Sequence, residues 1–277
     1  SVDELEQRAV TIRKEVIRMI HAAGSGHPGG SLSITDIVSA LFFRVLNKDP
    51  DNPEWAKRDR FVLSKGHAVP ALYAALAHAG YFPTEDLTTL RKLGSPLQGH
   101  PDSNRLPAVE ACTGSLGQGL SIASGMALAA RVQDRDYHTF CLVGDGEINE
   151  GQIWESALFN PTHDLSNLTV VIDFNKYQLD GPVDEIIPLE PLEEKWESFN
   201  WSVNRIDGHD MDEVVPALEE ARDDDEINII IAETVKGKGV SFMEGNNAFH
   251  GKAPDDEQFQ QALDELDELE ASLTNGV

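Results

Sequence analysis

Apolar residues recur at Leu5, Ala9, Ile12, Val16 and Ile20, steps of four and three that share one helical face. Ser1 with Glu4 supplies a capping box ahead of them, and Gly24-Ser25-Gly26 stops the pattern. A second helix is expected over 35–46, before a turn-rich stretch at 47–53. The pattern then changes to short, nearly unbroken apolar runs at 61–63, 139–143, 168–173, 201–206 and 227–232. Helical periodicity lies near 68–79, 118–132, 152–159 and 211–222. Strands with no polar face, alternating with helices, predict a parallel sheet covered on both faces, so the class is α/β. There is no internal repeat and no low-complexity linker, and residues 1–277 are expected to form one domain. From Pro254 the pattern is again helical, with Phe259, Leu263, Leu266, Leu269 and Leu273 on one stripe and Asp, Glu and Gln opposite. An amphipathic helix over about 254–275, packed on its own domain, is expected; a linker to a further domain is the alternative.

Composition narrows the function. The chain is long enough to bury a sizeable core. Its 48 acidic and 22 basic residues give a net charge of −26. Such a surface argues against neutralising nucleic-acid phosphates and against docking to an anionic membrane. It suits concentrated salt, as in a halophile's cytosol, and predicts self-repulsion at low ionic strength. Of the two cysteines, Cys141 lies inside the apolar run 140–143 and is expected to be a buried, inert thiol. Neither a disulfide framework nor a zinc site is indicated. No stretch approaches eighteen apolar residues and no basic-then-apolar leader opens the chain, so a soluble cytoplasmic protein is expected.

The chemistry sits where strands end. GDGEINEG (144–151) follows a strand and opens a helix, the usual place for ligands in open α/β sheets. A dinucleotide fingerprint would need glycine at position 149, which is Asn149, and Asp145 would repel a pyrophosphate. A divalent cation between carboxylate and diphosphate removes that conflict. Asn175 ends the run 170–174, thirty positions after Asp145. Its side-chain oxygen, the Asp145 carboxylate and a carbonyl just beyond Asn175 make a hard-oxygen set suited to magnesium. A tight turn with a capping Asp is the simpler alternative for the triplet alone. Ahead of the helix at 118–132, Gly114-Ser115-Leu116-Gly117-Gln118-Gly119 supplies three glycines that allow close approach of a flat ligand or a neighbouring helix.

Four histidines stand beside glycines in expected loops: His27 (SGHPGG), His67 (SKGHA), His100 (QGHPD) and His250 (FHGKA). Their convergence on one site would suit diphosphate binding and proton transfer near neutral pH. His21, His78, His138 and His163 have structural contexts, and His209 is expected in a turn.

The ordered set SGHPGG, SKGHA, GHPD, TGSLGQG, GDGEINEG, FNKYQLDG and FHGKAP resembles the thiamine-diphosphate-binding domain of transketolase, over nearly the whole chain. Ser115 and Glu147-Ile148-Asn149 depart from many full-length members and look more like the N-terminal subunit of split transketolases. The resemblance implies magnesium (calcium or manganese as substitutes) on Asp145, Asn175 and the Tyr177 carbonyl. It implies diphosphate contacts from Gly146, His67 and His250, aminopyrimidine contacts from Gly114 and Leu116, and a thiazolium contact from Leu179. His27 and His100, with His250, would serve the sugar and catalysis, and Glu150 and Glu155 an acidic network across a subunit interface. The activity implied is transfer of a two-carbon ketol unit between sugar phosphates, with the cofactor as electron sink. A glutamate that activates the pyrimidine would come from a separate C-terminal transketolase subunit carrying the pyrimidine-binding domain, in a hetero-oligomer of two plus two chains.

Other readings are a deoxyxylulose-phosphate synthase or keto-acid dehydrogenase component, a nicotinamide-dependent dehydrogenase, and a non-catalytic cofactor-binding module. The histidine loops argue against the keto-acid dehydrogenase, and Asn149 and Asp145 against the nicotinamide enzyme.

Overall fold

The structure, a computed structural model, describes residues 1–275. Helix α1 (Val2–Ala23) opens with the expected capping box and closes on Gly24, whose left-handed φ of 65° suits a residue without a Cβ. The single helix expected over 35–46 is instead α2 (Pro28–Ser33), α3 (Thr35–Ala40) and a π-helical turn over Leu41–Val45. Helical winding therefore starts inside a segment that glycines made look like a loop. Pro28 sits in the first turn, where its missing N–H costs nothing. Gly29 and Gly30 are buried, and a Cβ on them would stand 3.0 Å from the Lys236 stem and 3.2 Å from Lys65 Nζ.

Strand β1 (Arg60–Leu63) leads to α4 (Val69–His78), and α5 (Gln118–Val132) precedes β2 (Thr139–Gly144). Then come α6 (Gly151–Thr162), β3 (Leu168–Phe174), and the short helices α7 (Val183–Ile186) and α8 (Leu192–Ser198). Strand β4 (Ser202–Asp207), α9 (Met211–Asp223), β5 (Asn228–Glu233) and α10 (Asp256–Asn275) complete the order. All strand pairs are parallel, in the order β1-β2-β3-β5-β4. The three central strands are buried almost throughout, as their unbroken apolar runs require, whereas β4, on the edge, is mostly half-exposed.

Alternate residues of the sheet feed two cores. Phe140, Leu142, Val171 and Ile230 join α1, α3, α4, α9 and α10 on one face. Cys141, Val143, Val170 and Ile231 join α5, α6 and α8 on the other. The Cys141 thiol is buried there, as expected. Helix α10 lies on α1: Ala262 and Leu266 are fully buried, and Lys14 reaches Asp267 at 2.6 Å and Glu270 at 2.8 Å. His21 of α1 stacks on Phe259 at 4.0 Å. Among the described residues no helix is long and apolar enough to cross a membrane.

Candidate functional site

A parallel sheet delivers all its strand ends to one side, and there the cleft opens. The turns after β1, β2, β3 and β5 bring Lys65 and His67, Gly144 to Glu147, Asn175 to Leu179, and Lys236 to its wall. His27, Gly30, Gly114, Leu116 and His250 complete the cleft, which is open at its mouth.

Asp145 and Asn175 meet here because Gly144 and Asp173 are register partners in β2 and β3. Asp145 Oδ1 accepts from the Gly146 N–H at 2.7 Å and Oδ2 from the Lys176 N–H at 2.5 Å. Asn175 Nδ2 donates to Asp173 at 2.7 Å, which fixes the amide, and its Oδ1 accepts from the Tyr177 N–H at 3.1 Å. Asp173 is fully buried in an ion pair with Lys65 and also accepts from Ser33 Oγ (2.7 Å) and Thr234 Oγ1. Burial opposes its charge, but Lys65 and these donors hold its pKa below the usual carboxylate range.

Asp145 is different. It is 2% exposed, and among the described residues no cationic side chain stands within ion-pair range. Burial, then the neighbouring Asp173 charge, push its pKa up to about 7, against Lys65 and the two backbone donors. Two carboxylates thus lie close together, and Lys65 is paired with only one of them. A cation beside the other would remove the imbalance.

The residues present fit a magnesium–diphosphate group. Among the described residues no three His, Cys, Asp or Glu side chains converge as a protein-only metal cage. One carboxylate, one amide oxygen and a nearby carbonyl suit a hard cation that keeps water and phosphate oxygens for its remaining positions. His27 Nδ1 and Gln178 Nε2 are buried without hydrogen-bond partners, which leaves polar groups for a ligand to satisfy.

The four loop histidines do converge. His27 lies with ring centroids 5.2 Å from His67, 5.6 Å from His250 and 6.3 Å from His100. Burial lowers the pKa of His27, helped by Arg91, to about 4, and that of His250, helped by Lys236, to about 3. His67 is held well below the usual value and His100 is lowered, in each case chiefly by burial. At neutral pH the cluster therefore offers uncharged imidazoles, each with one donor and one acceptor.

Gly114, at φ 146°, packs so closely on His100 that a Cβ would meet its Cδ2 at 3.0 Å. Leu116 and Leu179 stand at the mouth, 37% and 65% exposed, and Tyr177 lines the wall. Glu150 and Glu155 lie outside the cleft and are exposed, at the start and along the outer side of α6.

Sequence reasoning passed over four residues. Lys65 and Asp173 form the buried ion pair, and a lone carboxylate inside the run 170–174 was the available signal. Lys236 is 2% exposed and approaches Asn247 (2.7 Å) and His250 Nδ1 (3.0 Å); burial, then Lys65, lower its pKa to about 8. Glu147 accepts from Ser64 Oγ at 2.5 Å, the Gly117 N–H at 2.8 Å and the Gly144 N–H at 3.0 Å. It thereby ties three loops of the cleft together. His209, expected as a turn residue, also does more than end a turn: both its ring nitrogens are engaged.

The family model described as the transketolase thiamine diphosphate binding domain matches residues 5–267. The chain is 48% identical over 265 residues to the 6-deoxy-6-sulfo-D-fructose transketolase subunit of Clostridium sp. (strain MSTE9), covering 95% of this chain and 96% of the relative. It is 40% identical over 271 residues to an apulose-4-phosphate transketolase subunit of Phocaeicola vulgatus, covering 96% and 95%. Among solved structures, transketolase from Campylobacter jejuni superposes with a TM-score of 0.87 at 33% identity, over 98% of this chain and 48% of that one. A mutant transketolase from Pichia stipitis gives a TM-score of 0.89 at 30% identity, over 99% and 44%. The chain spans a little under half of those two structures but nearly all of the subunit-type relatives. It belongs to the transketolase family, and the part of the family it spans is the thiamine diphosphate binding domain.

Proposed function

We propose that residues 1–277 form the single cofactor-diphosphate-binding domain of a two-chain transketolase. With thiamine diphosphate and magnesium, and together with a partner chain, it transfers a two-carbon ketol unit from a ketose phosphate to an aldose phosphate. The observation that carries this reading is the buried Asp145 carboxylate, unmatched by any cationic side chain among the described residues and placed beside Asn175. In this reading Asp145, Asn175 and the Tyr177 carbonyl hold the metal. Gly146, His67, His250 and Lys236 bind the diphosphate. Gly114 and Leu116 face the aminopyrimidine, and Leu179 the thiazolium.

Bound thiamine diphosphate supplies a nucleophilic carbon and an electron sink. The chain's own residues orient the sugar and manage its protons. His27 and His100, uncharged at neutral pH, can donate to or accept from hydroxyl and alkoxide oxygens without adding charge to the cleft. The partner contributes the glutamate on the pyrimidine side, and the exposed Leu116, Leu179, Ile186 and Ile187 are apolar surface suited to such a neighbour. Glu150 and Glu155, exposed on this chain, take their place in the acidic network between subunits. The relatives named for a sulfonated hexose and for apulose 4-phosphate both concern sugars with an anionic group, which favours an anionic sugar here too.

The test is Asp145→Ala. Magnesium-dependent binding of thiamine diphosphate should fall by 100-fold or more while circular dichroism stays native; unchanged affinity would overturn the metal assignment.

A further inference from the structure

Outside the cleft, one buried chain of charges leads to it. Arg13 of α1 makes two bonds to Asp36 of α3, one of them 3.1 Å long. Asp36 Oδ2 lies 2.6 Å from Nδ1 of His209, in the turn after β4. On the far side of the ring, the Val235 N–H donates to Nε2 at 2.8 Å. An imidazole that accepts through Nε2 carries its proton on Nδ1, so the ring is neutral and donates to the carboxylate. Arg13 keeps Asp36 ionised, so the carboxylate stays an acceptor for the Nδ1–H. The tautomer is fixed by what each side of the ring must do.

Val235 stands between two residues that act in the cleft. Thr234 donates to Asp173, the carboxylate that orients the Asn175 amide. Lys236 reaches His250 and Asn247. Strand β5 ends at Glu233, so beyond it this segment has no ladder partner of its own. Its backbone N–H groups bond to Phe174 (from Thr234), to His209 (from Val235) and to Gly29 (from Gly237), and the Lys236 carbonyl accepts from the Gly245 N–H at 2.9 Å. The turn itself is seated tightly: Gly208 donates to the Glu233 carbonyl at 2.8 Å, and a Cβ on it would meet Thr234 Cγ2 at 2.6 Å.

We propose that His209 is a positioning residue for the cofactor site: as a neutral Nδ1–H imidazole held by Arg13 and Asp36, it fixes the Val235 main chain and so places Thr234 and Lys236. The ring touches neither metal ligands nor cleft wall, and it acts through the backbone. The inference rests on the cleft being the thiamine diphosphate site.

The test separates the two sides of the ring. In His209→Gln the side-chain oxygen reaches as far as Nε2 and can accept from Val235. In His209→Asn the amide extends only as far as Nδ1, keeps Asp36 and leaves the Val235 N–H unpaired. Amide hydrogen exchange over 234–237 is followed in the full chain, and thiamine diphosphate with magnesium is titrated into the chain reconstituted with its partner subunit. The Asn variant should exchange at least tenfold faster over 234–237, with β2 and β3 unchanged, and bind the cofactor at least tenfold more weakly; Gln should stay within about threefold of wild type, the range expected when an outer-shell contact is lost or kept. Equal exchange and equal affinity in the two variants would overturn the tether, as would an Asn variant that loses stability uniformly with no local acceleration. If wild type fails to bind thiamine diphosphate while Asn still loosens 234–237, the cofactor reading falls and the tether to the backbone stands.

Discussion

At the scale of the residue, burial decides what each ionisable group in the cleft can do. The histidines are driven neutral and Lys65 is committed to Asp173, so in the proposed site positive charge for a diphosphate would come from Lys236. Burial, then the Lys65 charge, depress the Lys236 pKa to about 8, below the usual lysine range. Its depressed pKa means that the folded chain bears the full cost of the charged form below pH 8, and that this cost is relieved as pH rises from there towards the unfolded value. Anion binding runs the other way, since it needs the ammonium. Affinity of the metal-free chain for inorganic pyrophosphate should therefore decline as pH is raised through 8, in addition to the decline that ionisation of Asp145 brings near pH 7, and a Lys236→Met variant should lose only the part of the decline above pH 8. Isothermal titration between pH 6.5 and 9.5 reads this, and a flat profile across pH 8 would remove Lys236 from the site. Asp145 and the four histidines were legible because glycines flank them, and Asn175 because it ends an apolar run. Lys65 and Glu147 were not, because their importance lies in partners far apart in sequence, and Lys236 was not, because nothing in its local sequence marks it as buried. Lys65 and Asp173 are separated by 108 positions, and Ser64 and Glu147 by 83.

At the scale of the element, the strands were the easiest part of the fold to anticipate. A strand covered on both faces has no polar positions to confuse its period, and β2, β3 and β5 fall within a residue or so of the runs that announce them. Segment 28–45 was misread for the opposite reason. Pro28, Gly29 and Gly30 carry loop composition, yet α2 forms there because only glycines let it lie against Lys236 and Lys65. Tertiary contact outweighed local propensity. The last helix makes an independent test of packing. Leu266 is fully buried between α10 and the α1 side, with Gly239 beneath it. Leu266→Ala should lower unfolding stability by about 2–5 kcal/mol, measured by urea denaturation. A change within about 0.5 kcal/mol would mean that α10 is not part of the cooperative unit.

At the scale of the whole molecule, the net charge of −26 sets the conditions in which the fold holds. Many basic side chains are already paired with acids, for example Lys14 with two carboxylates and Arg205 with three. The excess acid is left to repel itself across the surface, and salt screens that repulsion over about 10 Å at 0.1 M. The melting temperature should accordingly climb as potassium chloride is raised from 0.05 to 1 M, with most of the gain at the lower concentrations, in differential scanning fluorimetry. A constant or falling value would show that long-range repulsion is a minor cost.

The pairing of Gly144 with Asp173 has one more consequence. Neighbouring parallel strands cannot slide by fractions of a residue, so the spacing of the Asp145 and Asn175 backbones, each one residue past its strand, is set by the sheet. An ion held by both oxygens would have to match that gauge: magnesium sits at 2.0–2.1 Å from its oxygens, calcium at 2.3–2.6 Å. Discrimination between the two ions would then be a property of the sheet itself.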